Sequence, residues 1–276
     1  MVDGKLVQSV ELEPGLEVWI GGVTLVAESS RLAALRAYLG RLLGWTTDRV
    51  RAIDIALRSI RAATTRQAAI VLCADHDPEL IARALHRHVF PSDRPFVMCD
   101  PGRKRVEENV RAAVNYQRGM EAIAAAKHGT VCIWSKHVPK DFAEMKVALQ
   151  DPDTRVVLMV CAYQPFEAEA FGATPIAIPS LRDRVAELPQ IVDEYAQEAS
   201  EELGLPRSTF TREDRDWVIQ HAAASLSDIE KSTLRFLAIR EAGGNMTTAA
   251  SRLGMARWPL TRWAKRHKLP MRTSDE

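Results

Sequence analysis

Between Gly243 and Ser274 the chain carries seven Lys or Arg residues and no Asp or Glu. An uncompensated positive segment of this kind suits phosphates rather than bond-making chemistry. Arg257, Thr261, Arg262, Lys265, Arg266 and Lys268 fall outside an apolar set made by Leu260, Trp263 and Ala264. That spacing predicts one helix with a buried side and a cationic side. Arg257 and Trp258 stand at its start, where base edges are normally met; Lys265, Arg266 and Lys268 stand toward its far end, where phosphates are the expected partners. Elsewhere, residue types that could catalyse lack the necessary spacing. His76, His128 and His137 have no nucleophile or base partner at a telling interval. Cys73, Cys99, Cys132 and Cys161 form no C-x-x-C pair, which argues against a zinc knuckle or a thioredoxin-like site. They read as buried small residues in a reducing compartment, with a shared metal or redox role at one sheet edge as the alternative.

The basic helix needs a partner to hold it. Asn245, after Gly243-Gly244, is an N-cap type, so a helix beginning near Met246 would turn Ala249, Ala250 and Leu253 inward. Gly254 supplies the left-handed residue that ends it. With Ala256 as the next N-cap, Pro259 falls in the first turn of the basic helix, where its missing N–H has no intrahelical partner. Two short helices joined by a tight turn, the second one basic, make a helix-turn-helix reader of double-stranded DNA.

The run GGNMTTAASRLGMARWPLTRWAKRHKL, from Gly243 to Leu269, resembles the Fis-type helix-turn-helix that ends sigma-54-dependent enhancer-binding transcriptional regulators. Gly243, Gly244, Asn245, Ala249, Ala250, Leu253, Gly254, Leu260 and Arg262 fall where that pattern puts them. The resemblance implies a AAA+ domain upstream, and the chain can be read against it.

The 37 basic and 36 acidic residues of this 276-residue chain nearly cancel, so the C-terminal positive charge is offset elsewhere, largely from Ala186 to Asp216. No stretch approaches the roughly 20 apolar residues of a membrane span, and the first residues lack a secretory pattern. A cytoplasmic protein is expected. Residues 5 to 26 alternate around Glu13-Pro14-Gly15 and Gly21-Gly22, giving a short β segment over 1–27. From Ser30 to Ala63 two amphipathic helices are predicted, striped by Leu32, Leu35, Leu39 and Leu42, then by Val50, Ile53, Leu57 and Ile60, with Gly44 between them. Apolar runs at 68–73, 95–99, 130–134, 155–161 and 174–178 alternate with helix-length segments such as Pro78 to His88 and Asn109 to Ala126. They read as a parallel sheet covered on both faces, an α/β fold. Ligands of such sheets bind at the carboxyl ends of strands, which points to the loop after Cys73.

Against the resemblance, this loop is altered. Ala82-Arg83-Ala84-Leu85-His86 matches the family's helix after the P-loop, which puts Pro78 at the phosphate-binding lysine and Asp75 and Asp77 at glycines. A P-loop converges N–H groups and a lysine on phosphate, whereas two carboxylates repel it and Pro78 suits an ordinary helix start. The Asp-Glu pair that would hold Mg²⁺ is replaced by Trp134-Ser135. The arginine-bearing segment before the fifth strand becomes PFEAEAFGA, and Asp100 to Ala126 lacks the GAFTGA loop by which the family touches sigma-54. Ile178 to Arg184 resembles the junction into the family's helical lid.

The expectation is thus a degenerate AAA+ α/β domain over 28–185, a helical lid over 186–225 and a Fis-type helix-turn-helix over 226–276. It would be a DNA-binding regulator without enzyme activity, cofactor or metal. The implied partners are double-stranded DNA, a second copy or more in a homodimer or higher oligomer, and other AAA+ regulators. An interaction subunit that docks on other AAA+ proteins is the alternative.

Overall fold

A computed structural model describes residues 9, 11, 17–66, 68–103, 113–206 and 209–269. The strand and turn expected over 5–15 fall almost wholly outside the described residues, as do much of the segment between Asp100 and Ala126 and the end of the basic segment beyond Leu269. By its contacts the chain divides into two units, one made mainly of the residues up to Ile178 and one mainly of those from Pro179 onward, with Ala74–Leu80 belonging to the second.

The first unit opens with a hairpin, β1 (Glu17–Ile20) against β2 (Val23–Val26), antiparallel about Gly21-Gly22. Helices α1 (Ser30–Leu43) and α2 (Thr47–Arg66) follow. Ser29 caps α1 by accepting the Leu32 N–H, and Gly44 ends it. The predicted stripe of α2 is shifted: Val50 is 48% exposed, and Ile53, Ala56, Ile60 and Ala63 form the buried face. Five parallel strands appear where the apolar runs lie, namely β3 (Ile70–Cys73), β4 (Phe96–Cys99), β6 (Thr130–Trp134), β7 (Val157–Ala162) and β8 (Pro175–Ala177). A short strand not foreseen, β5 (Asn115–Tyr116), extends one edge. The order across this six-stranded sheet is β5-β4-β6-β7-β3-β8. Helices α3 (Pro78–Val89), α4 (Gly119–Ala125) and α5 (Phe142–Gln150) complete the α/β layers.

Alternation along each strand divides the sheet's side chains between two faces. Val71, Val97, Val131, Ile133 and Val160 share one core with Ala122 and Ile123 of α4 and with Met145 and Leu149 of α5. Helix α2 packs against β3, β7 and β8, and most strand side chains are buried on both faces of the sheet, although Ala177 of β8 is exposed. All four cysteines are buried and none forms a disulfide. Cys132 and Cys161 approach to 3.5 Å between sulfurs, and burial pushes the Cys73 thiol up to about 11 and the Cys99 thiol up to about 12. Burial of this kind disfavours the thiolate, the reactive form of the group. No metal-ligating cluster occurs among the described residues.

The second unit is helical. A 3-10 segment at Leu181–Glu187 leads into α6 (Leu188–Leu203), then α7 (Arg212–Ala222), α8 (Leu226–Glu241), α9 (Met246–Arg252) and α10 (Arg257–Arg266). Arg184, buried here, pairs with Glu187 at 2.8 Å, a structural role. Thr211 and Asp214 form a reciprocal cap at the start of α7, and Asp214 also receives Arg240 from α8. Trp217 of α7, Ala238 and Ile239 of α8, Ala249 and Ala250 of α9, and Leu260, Trp263 and Ala264 of α10 share one core. Among the described residues no helix is long and apolar enough to cross a membrane.

Candidate nucleic-acid interface

The basic helix is positioned by three local devices. Asn245 accepts the N–H groups of Thr247 and Thr248 at 3.0 and 3.1 Å and so caps α9. Gly254 takes φ 58°, a left-handed turn that a side chain would strain, and the Met255 N–H then donates back to the Ala250 carbonyl at 2.9 Å. Ala256 is the N-cap of α10, which places Pro259 in the first turn as its ring requires. Tertiary packing does the rest: the Trp263 ring meets Trp217 edge-on at 6.3 Å and His267 at 5.2 Å, and His267 Nδ1 bonds the His221 carbonyl at 2.9 Å.

This burial of Leu260, Trp263 and Ala264 fixes which side chains remain outside. Arg257, Trp258, Arg262, Lys265, Arg266 and Lys268 are all exposed, and Thr261 is half-buried with its hydroxyl donating to the Arg257 carbonyl at 3.1 Å. The exposed set divides into two faces. Arg257, Thr261, Lys265 and Lys268 line a hollow of about 770 Å³, whose opposite wall is Asn245 and Thr247 at the start of α9. Trp258, 68% exposed, stands with Arg262, whose guanidinium lies 5.2 Å above the indole. Spacings of three and four residues already put each group on one side of a helix; the sequence did not show that Asn245 and Thr247 would wall the hollow. Lys268 holds φ 51° and allows the Leu269 N–H to reach the Ala264 carbonyl at 3.0 Å, closing the end of α10. Arg252 is drawn off by Glu241 at 3.6 Å.

The altered loop after β3 also has definite geometry. Pro78 is buried and is the first residue of α3. Asp75 and Asp77 are exposed. Asp77 takes φ 49°, a left-handed conformation that departs from the extended backbone usual for an N-cap, and its carbonyl accepts the Leu80 N–H at 3.0 Å. Its carboxylate accepts the Ser225 hydroxyl at 3.5 Å.

At the end of β6, Trp134 is half-buried, its ring 5.4 Å from Tyr163. The Ser135 hydroxyl donates to Glu167, and Lys136 Nζ lies 3.9 Å from the same carboxylate and 5.2 Å from the Tyr163 ring. Sequence reasoning missed Glu167 because nothing in PFEAEAFGA separates it from Glu169. It also missed Asp100, a buried carboxylate that reaches His137 Nδ1 at 3.3 Å and Arg103 at 3.2 Å. Sequence distance hides such pairs.

A parallel α/β unit and a helical unit ending in a capped, cation-faced two-helix element define the chain so far. No family model matches it, and no curated protein matches it. Among solved structures it is similar to NtrX from Brucella abortus, at 15% identity and a TM-score of 0.38, covering 86% of this chain and 72% of that one. A second structure, NtrX in complex with ATP, gives 17% identity and a TM-score of 0.40, with 87% and 73% covered. Likeness at this level bears on neither activity nor ligands.

Proposed function

We propose that the chain is a sequence-specific DNA-binding transcriptional regulator, with α9 and α10 as its helix-turn-helix and α10 as the reading helix. The observation that carries this reading is the cationic side of α10. Its apolar side is consumed by the core, its turn is fixed by Gly254 and Asn245, and Arg257, Arg262, Lys265, Arg266 and Lys268 face solvent with no carboxylate within salt-bridge distance among the described residues. A helix so held offers side chains to a major groove and cations to the flanking phosphates. Selection of bound fragments from a genomic DNA library with the purified protein tests it; failure to enrich any sequence at physiological salt removes it.

In the same reading the α/β unit neither binds nor hydrolyses ATP and does not drive open-complex formation with sigma-54 polymerase. Support comes from Pro78 at the start of α3, the carboxylates of Asp75 and Asp77, and a β6 end occupied by Trp134 and Ser135, the latter bound to Glu167. Titration with a fluorescent ATP analogue and Mg²⁺ checks this, and saturable binding at micromolar levels refutes it. ATP-dependent transcripts from a sigma-54 promoter would refute the second part. The unit then acts as a spacer, an oligomerisation module or a surface for other AAA+ regulators.

A further inference from the structure

At the amino edge of the sheet, opposite the loops considered above, the α/β unit contains a hollow of about 600 Å³. The loops entering β4, β6 and β7 bring Arg94, His128 and Arg155 to its wall, and Phe90, Pro91 and Pro152 give it an apolar side. Among the described residues none of the three cationic or imidazole groups has a carboxylate within salt-bridge distance. Asp93, Asp151 and Asp153 of the same loops are exposed, and none lines the hollow. Thr64 and Thr65, also on the wall, donate their hydroxyls to the carbonyls of Ile60 and Arg61, so recognition of charge falls to the cations.

These loops are tied to one another. Thr130 N–H donates to the Pro95 carbonyl at 2.9 Å and Val157 N–H to the Gly129 carbonyl at 3.0 Å. Gly129 is obligatory, because a Cβ there would lie 2.1 Å from the Pro95 carbonyl oxygen. Buried His86 fixes the next link, its Nε2 on the Arg94 carbonyl at 3.0 Å and its Nδ1 on the Thr130 hydroxyl at 2.8 Å. Both His128 and Arg155 hold left-handed backbone, at φ 64° and 45°, conformations that glycine would adopt without strain. These two positions hold their side chains on the wall of one hollow, and Arg155 and His128 are both groups that suit an anion.

We propose that this hollow binds a small organic molecule bearing a phosphoryl group. The dianion is matched by the uncompensated charge of Arg94 and Arg155 with His128, and the organic body by Phe90, Pro91 and Pro152. The volume falls within the range of small-molecule sites. Nothing in this inference depends on DNA binding by α10.

Calorimetric titration of the full chain with inorganic phosphate and with ribose 5-phosphate tests it. Saturable binding of both is expected, tighter for ribose 5-phosphate by several fold. Arg94→Gln should weaken each by about tenfold or more, the loss of a charge-assisted contact. Arg155→Gly removes a cation and the backbone strain together, so binding should fall while the thermal midpoint holds or rises. Absence of saturable binding at millimolar probe, or binding that survives both variants, overturns the proposal. Equal affinity for the two probes overturns the organic body. Displacement of the probe by a short DNA duplex, lost in Arg94→Gln, overturns the small ligand in favour of a nucleic-acid contact.

Discussion

Replacing Lys265 by Ala isolates one cation whose removal disturbs no core contact, since Lys265 is exposed on α10 and its neighbour Ala264 supplies the packing. With Arg257 assigned to a base edge, Arg262, Lys265, Arg266 and Lys268 remain for phosphates, Arg252 being engaged by Glu241 at 3.6 Å. Each phosphate neutralised contributes about −0.9 to the slope of log affinity against log salt, so the full set gives roughly −3.6 per two-helix unit. Between about 50 and 200 mM salt, affinity should then fall roughly 150-fold for the parent and roughly 40-fold for Lys265→Ala. The variant should bind specific and random duplexes more weakly by the same factor. Arg257→Ala behaves differently: it should lose about 1–3 kcal/mol on the selected site, relax the sequence choice there and leave the slope nearly unchanged. The assay is fluorescence anisotropy on both duplexes at several salt concentrations, with folding checked by circular dichroism. If both folded variants keep the parent's affinity and slope, α10 is not the reader and the DNA-binding reading falls.

Asn245→Ala removes the bonds to the Thr247 and Thr248 N–H groups and should cost about 1 kcal/mol, read as a lower denaturant midpoint of the helical unit. Trp263→Ala should destabilise that unit by about 3–5 kcal/mol because the ring is buried against Trp217, whereas Trp258→Ala should leave thermal unfolding unchanged and alter only DNA affinity; equal effects on stability would contradict the assignment of faces. Burial holds the His86 imidazole below its ordinary value, so the folded chain keeps it neutral while the unfolded chain takes up a proton. Stability from this ring is therefore complete above the unfolded value of about 6.5 and is lost as pH falls below it toward the depressed folded value. His86→Gln should flatten the decline in denaturation midpoint between about pH 7.5 and 5.5, and an identical decline in the variant would count against the buried neutral ring.

Local chemistry made much of this chain legible without coordinates. Apolar runs at 68–73, 95–99, 130–134, 155–161 and 174–178 became β3, β4, β6, β7 and β8 because a strand buried on both faces has no polar position to give away. Asn245, Gly254 and Pro259 marked the ends of α9 and α10 because capping and left-handed turns depend on a few adjacent residues. Pro78 likewise opened α3, although Asp77 before it adopted φ 49° instead of the extended backbone of an ordinary cap.

Only the tertiary structure decided which distant residues meet. Strand order placed β6 between β4 and β7 and so brought Ser135 to Glu167 and Asp100 to His137. The two-residue strand β5 was invisible because two residues carry no period, and Val50 of α2 proved exposed because a stripe does not say where its partner ends. The hollow that Arg257, Thr261, Lys265 and Lys268 share with Asn245 and Thr247 followed from the packing of α9 and α10 in one core, which the period of α10 alone does not show. The hollow of Arg94, His128 and Arg155 came from three loops far apart in sequence. Helix and strand periods are written within a few residues, whereas a site assembled from separate loops exists only once packing has fixed their relative positions.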